Sequence, residues 1–215
     1  MPTRRYTNLD PETKSKLLEA SIDEFAEKGY NDASLNAIIK AAGISKGSLY
    51  YYFEDKEDLY VTTLKEGVVN LGEELQAILE AVPGEDFWAS VKELLGKMTS
   101  ISFQHPRLLA LLKGGITLWA KDAPEEGSPM AELFDGVRGF THKWIVAGRK
   151  AGAVRTDVPE EILVKLVFAL GEAMDRWFLL HMDELEPEFL HRLPDLYTDV
   201  FRRTAAPEEL LRDPS

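Results

Sequence analysis

Between Ser34 and Phe53 the chain reads SLNAIIKAAGISKGSLYYYF, and this stretch constrains the fold more than any other. Ser34 and Ser45 are residues that cap helix N-termini, each followed by helix formers, and Gly43 stands between the two runs. A glycine there permits the left-handed backbone of a tight turn. The spacing predicts two short helices, Ser34–Ala41 and Ser45–Phe53, with Ile44 tucked beneath them, which is a helix-turn-helix.

In such a unit the second helix enters the major groove with its N-terminal residues near the base edges, where free backbone N–H groups also favour phosphate. Leu49 and Phe53 lie four apart and face the core, with Tyr52 flanking them. Tyr50 and Tyr51 point elsewhere, where rings can meet a sugar or a thymine methyl and hydroxyls can meet phosphate. Lys46 can reach a base or a phosphate, and Gly47 lets the backbone approach closely. A run of rings on a helix is also what plain core or surface decoration looks like, so the surrounding residues must decide.

Charge narrows the reading. The chain carries a formal net charge of −12, which by itself argues against a nucleic-acid partner. Its distribution argues otherwise. Residues 1–53 hold Arg4, Arg5, Lys14, Lys16, Lys28, Lys40 and Lys46 against an equal number of acids, so residues 54–215 carry the entire excess. A phosphate-binding surface is therefore expected to be local and N-terminal, with an acidic body held away from it.

Helix signals dominate the remainder, and no alternating strand pattern or repeat interrupts them. Asp10-Pro11 opens a first helix with Leu18, Ile22, Phe25 and Ala26 at helical spacing until Gly29. A fourth helix is predicted from Asp55-Lys56 towards Val82, with Pro83-Gly84 as a break. Phe87, Val91, Leu94, Leu95, Met98 and Ile101 form one apolar face, and Pro106 starts a helix that Gly114-Gly115 is expected to kink. Another stripe runs from Met130 through Leu133, Phe134, Val137, Thr141 and Trp144 to Ile145. Ile162–Met182 is apolar on nearly every side, the pattern of a helix buried all round. A last segment carries Phe189, Leu193, Leu196, Tyr197 and Val200, with Pro194 expected to kink or divide it. The predicted fold is all-α: a three-helix DNA-binding domain over residues 1–54 and a larger helical domain over 55–215.

The stretch resembles the DNA-binding signature of the tetracycline-repressor (TetR) family of bacterial regulators. The matching residues are Ser34, Ile38, Ala41 to Gly43, Ile44-Ser45, Lys46-Gly47, Leu49-Tyr50, Tyr52-Phe53, Lys56 and Leu59-Tyr60, within a resemblance covering about Thr13 to Leu64. It departs from the family at Tyr52, where histidine is frequent, and at Ile39, where a small residue is common. The resemblance implies that Lys46, Gly47, Tyr50 and Tyr51 meet bases and that Ser34, Ser45, Tyr52 and Lys56 meet the backbone, with Ser48 in the same set. It further implies a palindromic double-stranded operator and a C-terminal domain that dimerises and binds a small inducer.

The body supports dimerisation independently, because the Ile162–Met182 helix needs partners on both sides. Pairing it and the Phe189–Phe201 segment with their symmetry mates would build a four-helix interface. Met98, Phe103, Trp119, Phe134, Trp144, Met174, Trp177 and Phe178 are candidates to line an effector cavity, although such stripes are more often plain core. Asp175 could hold a cationic or hydroxylated group, and Glu172 and Arg176 are spaced for an ion pair. With all four tryptophans in this domain and no basic cluster for phosphate, a small lipophilic effector is expected.

The histidines at 105, 142, 181 and 191 form no ligand or catalytic cluster, so no metal, cofactor or enzyme activity is expected. There is no cysteine, and no apolar run reaches the roughly 20 residues that span a bilayer, which fits a cytoplasmic protein. The rival readings are a ligand-independent activator or nucleoid-associated protein of the same fold, and an all-α interaction module or enzyme with a vestigial helix-turn-helix.

Overall fold

The computed structural model describes residues 6, 8–69, 86–119 and 125–211, with the backbone alone for 68–69 and 115–119. Every regular element among them is helical. The chain forms two compact units, one comprising Met1–Gly72 with Ser102–Leu133 and the other Glu73–Ile101 with Phe134–Ser215.

In the first unit, α1 (Pro11–Asp32) starts at an Asp10 cap whose carboxylate accepts the Thr13 N–H at 2.9 Å. Its core face is Leu17, Ser21 and Phe25, while the expected Leu18, Ile22 and Ala26 are half-buried beside it. The stripe is displaced because Ser21 satisfies its hydroxyl on the Leu17 carbonyl at 2.7 Å, so a polar residue occupies a core position. At Gly29 the backbone leaves helical geometry (φ 72, ψ 170) before a last turn to Asp32. There follow α2 (Leu35–Ala42), α3 (Lys46–Tyr52) and α4 (Lys56–Val69), the stretch expected to carry α4 on to Val82 lying outside the described residues.

The sixth of the described helices in chain order, α6 (Pro106–Trp119), packs along α1. It runs through Gly114-Gly115 without a break. Gly114 serves close approach instead: a Cβ there would stand 3.0 Å from both the Gly29 Cα and the Phe25 carbonyl oxygen. Phe25, Tyr30 and Tyr60 form an aromatic centre with edge-on contacts of 5.0 and 5.3 Å between ring centroids.

In the second unit, α5 (Phe87–Gln104), α7 (Pro129–Lys150), α8 (Glu160–His181) and α9 (Pro187–Ala205) supply the helices, with the last turn of α5 and the first of α7 belonging to the other unit. The core collects Phe87, Val91, Ile145, Val154, Leu163 and Ala205. Gly148 is required there, since a Cβ would fall 2.3 Å from Val154 Cγ2 and 2.8 Å from Phe87 Cζ. α9 continues through Pro194 rather than dividing.

α8 is not buried all round within one chain. Leu163 and Leu179 are buried, but Ile162, Leu166, Trp177 and Leu180 are 47–53% exposed and share one helical face. The apolar pattern predicted burial all round, but within the single chain α8 is covered on one side only.

Candidate nucleic-acid interface

Capping and turn chemistry build the reading helix. Ser34 caps α2 by accepting the Ala37 N–H at 3.4 Å, and its own N–H donates to Glu24 on α1 at 2.8 Å. α2 ends at Gly43 (φ 69, ψ 26), whose N–H returns to the carbonyls of Ile39 and Lys40. Ser45 caps α3, accepting the Ser48 N–H at 3.0 Å, and the two hydroxyls lie 2.8 Å apart. Ile44 is half-buried beneath the turn.

The aromatic run divides as its spacing predicts. Leu49 and Phe53 are buried at 2% exposure each, whereas Tyr50 and Tyr51 stand 50% and 51% exposed. Tyr52 is half-buried and meets Tyr51 edge-on at 5.4 Å. Lys46 is exposed, with Nζ 5.9 Å from the Tyr50 ring centre, so one cation and one hydroxyl-bearing ring occupy the same outward face.

Gly47 adds independent support. A Cβ there would meet nothing closer than the Ser45 hydroxyl at 3.8 Å. Glycine inside a helix costs about 0.5–1 kcal/mol relative to alanine, and the surrounding protein has no packing need for it.

Lys56 is placed differently from the other candidates. Its ammonium donates to the Asn31 carbonyl at 3.0 Å and lies 5.1 Å from the Tyr30 ring centre, and burial lowers its pKa against the pull of Asp32 and Glu24. Tyr30 beneath it is pushed up to about 12 by burial, then by Glu57 and Asp55. Lys56 thus ties the start of α4 to the end of α1.

Tyr6 is a core residue that the sequence analysis did not single out. It is 2% exposed, packs on Phe53 at 5.0 Å and lies under the Lys14 ammonium at 5.0 Å. The available signal was a lone aromatic in a polar run.

The effector candidates do not converge. Met174, Trp177 and Phe178 line an apolar cleft of about 230 Å³ between α8 and α9, with Leu170, Leu193, Leu196 and Tyr197. Asp175 borders it, accepting the Tyr197 hydroxyl at 2.8 Å. Although this residue is exposed, desolvation raises the carboxyl's pKa against the opposing Tyr197 bond. Phe134 packs on Phe168 at 5.9 Å, and Trp144 packs on Phe140 at 4.7 Å and on the core. Met98 is half-buried, Phe103 is exposed and belongs to the other unit, and the Trp119 side chain lies outside the described residues. Glu172 and Arg176 form the expected ion pair at 3.0 Å. Among the described residues no acid or histidine cluster could hold a metal, and no helix is long and apolar enough to cross a membrane.

A capped helix-turn-helix with an outward cation, two outward tyrosines and an unforced glycine defines a DNA-binding regulator as the class of protein. The sequence profile of "Bacterial regulatory proteins, tetR family" matches residues 17–62. The chain is 30% identical over 172 residues to the fatty acid metabolism regulator protein of Bacillus subtilis (strain 168), covering 76% of this chain and 82% of that one. It belongs to the TetR family of bacterial transcriptional regulators. A second relative, the uncharacterized HTH-type transcriptional regulator YvdT of Bacillus subtilis (strain 168), is 28% identical over 103 residues, and the chain spans about half of it (52%, against 48% of this chain). The fold matches the crystal structure of the transcriptional regulator FadR from Bacillus subtilis in complex with stearoyl-CoA. That match has a TM-score of 0.65 at 17% identity and covers 88% of this chain and 98% of that one.

Proposed function

We propose that the protein is a homodimeric repressor of transcription, working in the cytoplasm, that leaves a palindromic operator when a small lipophilic effector binds. The observation that carries the reading is the outward face of α3, where Lys46, Tyr50 and Tyr51 are exposed beside an unforced Gly47. Residues 1–54 act as the reading head and 55–215 as the dimerisation and effector part.

A second copy covers the open face of α8 and α9, where Ile162, Leu166, Trp177, Leu180 and Leu196 are exposed in the single chain. Two copies give two heads related by a twofold axis, which is what a palindrome requires. The aromatic and methionine side chains of the body read the effector. A relative named for fatty acid metabolism and a fold neighbour holding stearoyl-CoA support an apolar ligand. The proposal takes the apolar character of that ligand and not its nucleotide portion, because the body lacks a basic cluster for phosphate. Effector binding favours a conformer whose heads are wrongly spaced, so operator affinity falls by the differential binding energy. The reading assigns the chain no catalytic step.

The test measures effector and operator affinities in both directions. A lipophilic compound that quenches tryptophan fluorescence is expected to weaken the operator, and the operator to weaken the compound by the same factor. A compound whose affinity ignores operator DNA defeats the proposal.

A further inference from the structure

We infer that Lys56 serves DNA binding as a positioning residue, locking the first turn of α4 that carries the reading helix, and does not itself hold a phosphate. Only Phe53, Glu54 and Asp55 lie between α3 and α4, so where α4 begins decides where α3 ends. The first three residues of α4 each fasten that turn to a different segment. Lys56 donates from Nζ to the Asn31 carbonyl, in the last turn of α1, at 3.0 Å. Glu57 accepts the Met130 N–H, in the first turn of α7, at 3.3 Å. Asp58, buried at 2% exposure, accepts the Glu54 N–H at 3.2 Å and so holds the link that follows α3. Of the three, Lys56 is the one that reaches α1, the helix against which α2 packs.

The surroundings of the ammonium suit this task and not a phosphate. Lys56 is half-buried, the Tyr30 ring centre lies 5.1 Å from Nζ, and Asp32 and Glu24 supply the counter-charge. Glu24 is itself committed, since it accepts the N–H of Ser34, the cap of α2, at 2.8 Å. A phosphate drawn to Lys56 would enter the field of both carboxylates, and like charges repel. It would also compete with the Asn31 carbonyl for the ammonium. Burial lowers the pKa of this group, the mark of a cation partly withdrawn from water. Lys46, by contrast, is exposed on the outward face of α3.

The inference rests on DNA binding by α3 as proposed above, and the test separates the two. Full-length wild type and Lys56→Met, which keeps an aliphatic stem but no donor, are titrated against a selected operator and a random duplex. Each titration is repeated over a range of salt concentrations. The random duplex reads phosphate contacts, and the operator reads the setting of α3 as well. The variant is expected to bind the random duplex like wild type, with an unchanged slope of log K against log salt. On the operator it should lose about tenfold or more in affinity, the worth of one charged hydrogen bond. A purely structural loss would lower the melting temperature and leave the operator-to-random ratio unmoved wherever both proteins are folded. Lys56→Arg restores a cationic donor and should regain most of that ratio. Should Lys56→Met fail to fold, Lys56→Gln, which also removes the charge, carries the same comparison. An equal loss on both duplexes, with a slope smaller by about 0.9, would make Lys56 a phosphate ligand and overturn this inference alone. An unchanged operator-to-random ratio would do the same. Wild type that binds neither duplex overturns the α3 reading and this inference together.

Discussion

The Tyr60 hydroxyl donates to the main-chain carbonyl of Leu111 at 2.6 Å, joining α4 to α6 across 51 positions of sequence. Both residues are fully buried, and the Tyr60 ring also meets Phe25 and Tyr30 of α1. One side chain thus holds three helices of the first unit together. Burial pushes its hydroxyl pKa above the ordinary tyrosine value, so it remains a donor across the neutral range.

Tyr60→Phe keeps the ring and deletes only this bond. The variant should be less stable by about 1 kcal/mol, the usual net worth of a buried hydrogen bond, measured as a lower denaturant midpoint at constant slope. Unchanged stability would mean that the bond carries no net weight.

Two glycine substitutions should move stability and DNA binding in opposite patterns. Gly114→Ala drives a Cβ to 3.0 Å from the backbone of α1, so it should destabilise the fold by about 1–3 kcal/mol. Gly47→Ala enters open space inside a helix and should raise stability by up to about 1 kcal/mol. The same added methyl should weaken the operator complex. Thermal melts and anisotropy titrations on both variants check this, and operator binding by Gly47→Ala at wild-type strength would remove the argument for close backbone approach.

Much of this arrangement was legible in the sequence because it is made by local chemistry. The Ser34 and Ser45 caps, the left-handed Gly43 and the inward–outward division of Leu49, Tyr50, Tyr51 and Phe53 follow from residue type and short spacing. What could not be read depends on contacts between distant segments. Ser21 lies in the core because its hydroxyl bonds one turn back, and Gly114 serves the passage of α1 rather than a kink. Lys56, which the resemblance assigns to the DNA backbone, is brought by the fold to the Asn31 carbonyl and the Tyr30 ring, contacts that its local sequence does not announce. The effector candidates shared only composition, and composition does not make side chains converge: three of the nine line the α8–α9 cleft.

Lys46→Ala and Tyr50→Ala remove exposed groups, so neither should change the melting temperature measurably. If each touches a base, each should cost about 1–3 kcal/mol on the operator and flatten discrimination at one position. Binding of both variants to a set of single-base operator mutants makes the comparison. Equal losses on operator and random duplex would assign both side chains to the phosphate backbone.

Leu166→Glu and Trp177→Glu test the open face of α8. Each places a carboxylate where the proposed partner subunit would bury it, at a cost of several kcal/mol unless it finds a partner. In the single chain both positions are exposed, so the monomer should remain folded. Sedimentation should show monomers with native helical content and weakened operator binding. A folded variant that stays dimeric would move the interface elsewhere.

The central claim is that two copies of the α3 surface read a duplex in twofold register. Selection from a pool of random duplexes with the full-length protein tests it most directly. The account predicts recovery of an inverted repeat, bound with an affinity that falls steeply as salt rises. A pool that yields no inverted repeat, or binding indifferent to salt, would contradict it.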